Sequence, residues 1–155
     1  MGEDEKGFAK IYGRLMDPNI ITIRPYNLQD YRGMVEILKE AGLYEETMDT
    51  ERVYRNKITA NPQSILVAIK NGEVIGCVVA LTEWGPLVFR LAVKKESQDK
   101  GLGSTLLTEA EEYLRKQYHS EVHVLVNEQD RDLKKWYEKH GYRAGNLYRW
   151  YYKKI

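Results

Sequence analysis

The chain has 155 residues, a length that suits one domain with a core and room for a cleft. Lys and Arg total 24 against 23 Asp and Glu, so no global field draws it to nucleic acid, and a single cysteine, Cys77, excludes an internal disulfide framework. Three histidines are too few for a structural zinc site, and no apolar run approaches the ~18 residues of a membrane span.

Residues 1–19 read as an N-terminal extension, either a tail or a short helix, ahead of a single domain over 20–155. The opening "MGEDEKGF" is acidic where a secretory signal is basic and then apolar, which predicts a cytoplasmic protein. Gly2 does not make a myristoylation site, because Lys6 stands where Ser or Thr is required.

"IITIRPY" alternates and stops at Pro25, which predicts a first strand; Asn27 and Asp30 then frame a helix with Leu28, Tyr31, Met34, Val35 and Leu38 on one face, ended by Gly42. A second helix starts near Asp49 or Thr50 and stops by Asn61, since Pro62 disfavours helical geometry before it. "SILVAIK", Asn71-Gly72 and "EVIGCVVAL" form a hairpin, because Asn-Gly supplies the positive φ angles of a tight type I′ turn. After Gly85 and Pro86, "LVFRLAV" is the third strand of the meander.

A helix follows, burying Leu102, Leu106, Leu107, Ala110, Tyr113 and Leu114. "EVHVLVN" is then a strand parallel to the third meander strand if the helix is a right-handed crossover. "DRDLKKWYEKHG" is a short helix capped by Asp130 and stopped by Gly141, and the alternating "LYRWYYKKI" predicts a last strand.

"SQDKGLGS" lies between a strand and a helix, where the first free N–H groups of the helix converge with the positive end of its dipole behind them. It is not a Walker loop, since Lys100 precedes Gly101, and it lacks the third glycine of a dinucleotide fingerprint, because Leu106 stands there. Two glycines alone are more often an ordinary turn.

The longer run "LAVKKESQDKGLGSTLL" resembles the acyl-CoA binding motif of the GNAT superfamily of N-acetyltransferases, with Gln98, Gly101 and Gly103 matching in order. "VNEQDRDLKKWYEKHGY" resembles that family's fourth motif, and Tyr137 takes the position of its tyrosine. The resemblance covers residues 20 to 153 and implies an α/β fold, a mixed sheet of about six to seven strands flanked by about four helices. It implies that acetyl-CoA or coenzyme A is the cosubstrate, its pyrophosphate held in the loop of Gln98, Asp99, Lys100, Gly101, Leu102, Gly103 and Ser104. The backbone of Leu91, Ala92 and Val93 then pairs with the pantetheine arm, Asn127 offers a polar contact to its amides, and Tyr137 is the general acid to the CoA thiolate. Asp130 stands where the family usually has Asn.

The implied reaction moves an acetyl group directly to a primary amine of a small molecule or peptide. Relatives often place the proton acceptor two or four residues before the Leu of Leu-x-Val, but Phe89 and Leu87 stand there. Glu83 is the candidate general base, with Glu45, Glu46 and Asp49 as other carboxylates. The missing base leaves open a catalytically silent CoA-binding sensor, and the loop alone leaves open a mononucleotide-binding domain. His119 and His123 straddle an element boundary, and Cys77 in its apolar strand reads as an inert thiol. No nucleic-acid or membrane partner is expected, and a homodimer is the common arrangement for such small domains.

Overall fold

A computed structural model describes residues 20–83 and 85–155, so the readings of residues 1–19 lie outside the described residues. Two compact units divide the chain, one ending at Val124 and the other spanning Leu125–Ile155.

In the first unit, β1 (Thr22–Pro25) ends at its proline, and Asn27 caps a single 3-10 turn, Leu28–Asp30. Asn27 Oδ1 accepts from Gln29 N at 2.9 Å and Asp30 Oδ2 accepts from Asn27 N at 2.8 Å, a reciprocal cap that satisfies donors the turn cannot. Arg24 forks onto the same carboxylate at 2.7 and 2.9 Å and ties β1 to the start of α1 (Tyr31–Glu40). Burial pushes the Asp30 carboxyl up, but Arg24 and the Asn27 N–H outweigh it and hold the pKa below its usual value. Thr50 Oγ1 accepts from Val53 N at 3.2 Å and opens α2 (Glu51–Ala60), which ends at Asn61 as Pro62 requires.

The meander forms as its turn chemistry dictates. β2 (Ile65–Lys70) and β3 (Glu73–Leu81) join through Asn71 and Gly72, both with positive φ (51° and 79°), and β4 (Leu87–Val93) pairs antiparallel with β3. Then come α3 (Leu102–Lys116) and β5 (His123–Val124), which lies parallel to β4 with Leu87 opposite His123 and Val88 opposite Val124. The five strands lie in the order β1-β2-β3-β4-β5.

One face of the sheet is covered by α1 and α2, where Met34, Ile37, Leu38 and Tyr54 bury against Ile65, Val67, Cys77 and Val79. Gly76 precedes Cys77 and faces the other way, toward α3. Leu106 sits so close over it that a Cβ on Gly76 would lie 2.9 Å from Leu106 Cδ1 and 3.3 Å from the Ala92 carbonyl oxygen. All six residues assigned to the buried stripe of α3 are buried.

In the second unit α4 (Arg131–Lys139) begins where Asp130 Oδ1 accepts from Leu133 N at 3.0 Å and ends at Gly141, whose φ is +87°. Nδ1 of His140 lies 2.7 Å from the Trp136 carbonyl oxygen, at the negative end of this helix.

Among the described residues five strands form where six to seven were expected. The run "EVHVLVN" pairs only at His123 and Val124, and no strand forms in "LYRWYYKKI". A strand exists only where its N–H and C=O groups find a neighbour, and sheet pairing among the described residues stops at Val124. Leu147, Tyr148, Trp150, Tyr151 and Tyr152 stay exposed, so the alternation of the tail does not divide into a core face and a solvent face. Among the described residues no helix is long and apolar enough to cross a membrane.

The close approach of α3 to β3 predicts that Gly76→Val destabilises the fold by about 1–3 kcal/mol, because the added methyls overpack against Leu106 and the Ala92 backbone. Urea unfolding of the two proteins measures it.

Candidate active site

The loop after β4 is shaped by its own backbone. A 3-10 turn, Lys95–Ser97, leads to Gln98, whose Nε2 donates to the Val93 carbonyl at 2.9 Å and ties the loop back to the end of the strand. Asp99 and Gly101 then take left-handed φ angles of 59° and 79°. A Cβ on Gly101 would meet nothing within 4 Å, so glycine is favoured here by its torsion and not by lack of room.

Gly101 is also the N-cap of α3. It offers no side chain to cap the helix, and no acidic residue stands in the first turn. The N–H groups at the start of α3 therefore face outward at the positive end of a 15-residue helix, a setting that attracts an anion. Lys100 is folded back, its Nζ donating to the Glu96 carbonyl at 3.2 Å, while Lys94 pairs with Glu96 at 3.2 Å and Glu73 at 3.5 Å. The start of α3 thus presents main-chain donors, without the Lys94 or Lys100 ammonium aimed at them.

The strand leading into this loop is only half paired. β5 accompanies β4 at Leu87 and Val88 and no farther, so residues 89–93 have no strand neighbour on that side among the described residues. On the other side Val79 pairs with Phe89 and Cys77 with Ala92, leaving Arg90 and Leu91 together opposite Val78, a β-bulge. Arg90 carries the bulge with a φ of +52°, a conformation that costs a residue with a Cβ about 1–2 kcal/mol. The Cys77 thiol donates to the Arg90 carbonyl at 3.5 Å, and burial pushes the Cys77 pKa up to about 12, which removes it as a nucleophile.

Asp49 is the residue the sequence undervalues. It appears there as one loop acid among several, yet it is 1% exposed and accepts from three donors. Oδ1 accepts from Tyr54 O–H at 2.5 Å and from Arg90 Nε at 3.0 Å, and Oδ2 accepts from Glu45 N at 2.7 Å. A carboxylate this buried, holding three donors, is a structural anchor more than a base for an incoming amine. The signal was Arg90 itself: a cation inside the apolar run "LVFRLAV" requires a buried partner.

Glu83 lies at the far end of β3, half exposed, beside Lys57 Nζ at 3.4 and 3.5 Å and Asn61 Nδ2 at 3.5 Å. Burial pushes its carboxyl up, but the N–H groups of Glu83 and Thr82 together with the Lys57 ammonium outweigh it and lower the pKa. Asn127 and Tyr137 belong to the second unit. Asn127 Oδ1 accepts from Gln129 N at 2.9 Å in a turn before α4. Tyr137 is buried, stacked edge to face on Trp136 at 5.0 Å and Tyr142 at 5.2 Å, and burial pushes its phenol up to about 12. The first unit thus brings together Leu91, Ala92 and Val93 with the loop from Gln98 to Ser104, and Glu83 stands at the other end of the neighbouring strand.

Comparison with known proteins agrees with this architecture. The chain is 24% identical over 125 residues to the acetyltransferase ECA0875 of Pectobacterium atrosepticum, covering 80% of this chain and 89% of that protein. Its fold matches the PaiA N-acetyltransferase of Thermoplasma acidophilum, solved with coenzyme A, at a TM-score of 0.70 and 24% identity, over 83% of this chain and 92% of that one. It matches Ard1 of Thermoplasma volcanium at a TM-score of 0.71 and 20% identity, over 81% and 84%. The family model described as the acetyltransferase (GNAT) domain matches residues 61–144, more than half of the chain, from the end of α2 through α4. The protein belongs to the GNAT acetyltransferase family.

Proposed function

We propose that the chain is an acetyl-CoA-dependent N-acetyltransferase, that residues 20–155 act as one catalytic domain, and that the acceptor is a primary amine of a small molecule or a peptide. The observation that carries the proposal is the uncapped start of α3 beside the unpaired edge of β4. A cradle of amides for a pyrophosphate and a free strand edge for an amide-containing arm are adjacent in the chain, and coenzyme A has both groups in that order. Family membership and the coenzyme A held by the PaiA relative support the same reading.

Acetyl-CoA supplies the activated acetyl group. The N–H groups of the Leu91–Val93 edge that turn away from β3 are the donors assigned to polarise the thioester carbonyl, the Ala92 N–H being directed at Cys77, and those at the start of α3 are assigned to the pyrophosphate. Asn127 is assigned to the pantetheine amides. Tyr137 is assigned to donate its proton to the departing sulfur; a phenol at about 12 keeps that proton at neutral pH. Glu83 is assigned to receive the amine proton, directly or through water. Its lowered pKa keeps it ionised at neutral pH but makes it a weak base, so the fraction of the amine already neutral, its proton lost to water, is the species that this reading has attack the thioester.

The direct test is thermal stabilisation by acetyl-CoA, CoA and ATP, followed by thiol release against amino acids, peptides and polyamines. Stabilisation by the CoA compounds with thiol release is expected, and Gly103→Glu is expected to abolish both by placing a like charge in the cradle. Stabilisation without thiol release would favour a CoA-binding sensor, the reading that the apolar Leu87 and Phe89 support.

The pH profile tests the acid. An ordinary tyrosine loses its proton near pH 10, whereas a phenol at about 12 retains it there. The Tyr137-dependent part of kcat, measured as wild type over Tyr137→Phe, should therefore stay constant from pH 7 to about 10.5. A ratio falling with a midpoint near 10 would remove Tyr137 from this role.

A further inference from the structure

The strand edge assigned to the thioester depends on an unusual residue. Arg90 directly precedes Leu91, carries the bulge and holds a left-handed φ of +52° that glycine or asparagine would adopt more readily. Sequence propensity does not place an arginine there, so something outside the strand holds it. The side chain shows what. Its Nε donates to Asp49 Oδ1 at 3.0 Å, in a pair whose side chains are 8% and 2% exposed. The guanidinium also lies 4.1 Å from the Phe89 ring centroid, and its Nη2 is buried without a hydrogen-bond partner. Turning Arg90 back to extended torsions would withdraw its side chain from Asp49 and leave the buried carboxylate without its cation.

Asp49 is itself fixed from three directions. Tyr54 of α2 donates to Oδ1, the Glu45 N–H donates to Oδ2, and the Tyr31 hydroxyl of α1 donates to the Asp49 main-chain carbonyl at 3.0 Å. The anchor therefore belongs to the α1–α2 segment, 41 residues away from Arg90 in the chain.

We propose that Asp49 and Arg90 form a positioning latch: Asp49, held by both helices and their connecting loop, clamps Arg90 in its left-handed conformation and so sets the direction of the Leu91, Ala92 and Val93 edge. Neither residue transfers a proton in this scheme; they act through the main chain of the next three residues. The latch also joins the α1–α2 loop to the strand edge, so that a change in that loop reaches the amides of β4 through one ion pair.

The kinetic part of this inference rests on the acetyl-transfer reading and the structural part does not, so the test has two arms. In the structural arm, backbone 13C shifts of the full chain, which report φ, are compared for wild type and Asp49→Asn. Residue 90 should leave the left-handed range while the shifts of β1 and β2 stay in place. Unchanged shifts at residue 90 would overturn the latch whether or not any amine is acetylated. In the kinetic arm, Asp49→Asn should lower kcat by roughly 10- to 100-fold, the range a small misplacement of reacting groups produces. The KM for acetyl-CoA should rise by a smaller factor than kcat falls, because the displaced edge also meets the pantetheine arm while the pyrophosphate cradle is untouched.

A second comparison holds even if Asp49→Asn does not fold. Glycine is ordinarily worse than alanine inside a strand, yet it accepts positive φ freely. The latch predicts that Arg90→Gly keeps a higher kcat than Arg90→Ala; equal values, or a higher value for alanine, would contradict it. If no amine is turned over by wild type, the acetyl-transfer reading fails and the carbon shifts alone decide the latch.

Discussion

A strand that loses its neighbour halfway along leaves backbone N–H and C=O groups without sheet partners, and β4 does so after Val88. In a core strand that would be a defect. Here the loss occurs two residues before a bulge and ten residues before the loop that opens α3, so the unpaired groups lie on the approach to the proposed anion site. The proposed chemistry depends on this constraint, because the amides of an intact parallel pair would already be occupied.

Several features that look independent serve that opening. The Asn71-Gly72 turn fixes the β2–β3 register, the register with β3 places Arg90 and Leu91 opposite Val78, and Gly76 lets α3 approach closely enough to start beside the end of β4. The buried Asp49–Arg90 pair is costly to desolvate, and removing either member would leave an unmatched buried charge, a change worth about 3–5 kcal/mol. Two apolar residues would fill the same space at less cost, so the pair makes better sense as a device that specifies geometry than as one that adds stability.

Much of this was legible in the sequence wherever the cause is local. The type I′ turn needs only Asn71 and Gly72, the start of α2 needs only Thr50, and the buried stripe of α3 needs only its 3.6-residue spacing. The glycine loop was legible for the same reason, since its torsions and its place before a helix lie within a few residues. What could not be read depends on distant partners. The left-handed Arg90 answers to Asp49, 41 residues earlier, and no propensity encodes that. The aromatic tail alternates as a strand should, but alternation describes faces and supplies no neighbour. The proton acceptor is obscure on both counts: β4 offers Phe89 and Leu87, and the environment of Glu83 lowers its basicity.

The central claim is that the main chain at the start of α3 and along the free edge of β4 forms one binding surface for coenzyme A. A titration of the 15N-labelled protein with CoA, followed by backbone amide resonances, tests it most directly. The account predicts the largest shifts at Asp99 to Ser104 and at Leu91 to Val93, with residues of β1 and β2 unmoved. Shifts confined to other surfaces, or none at saturating CoA, would contradict it.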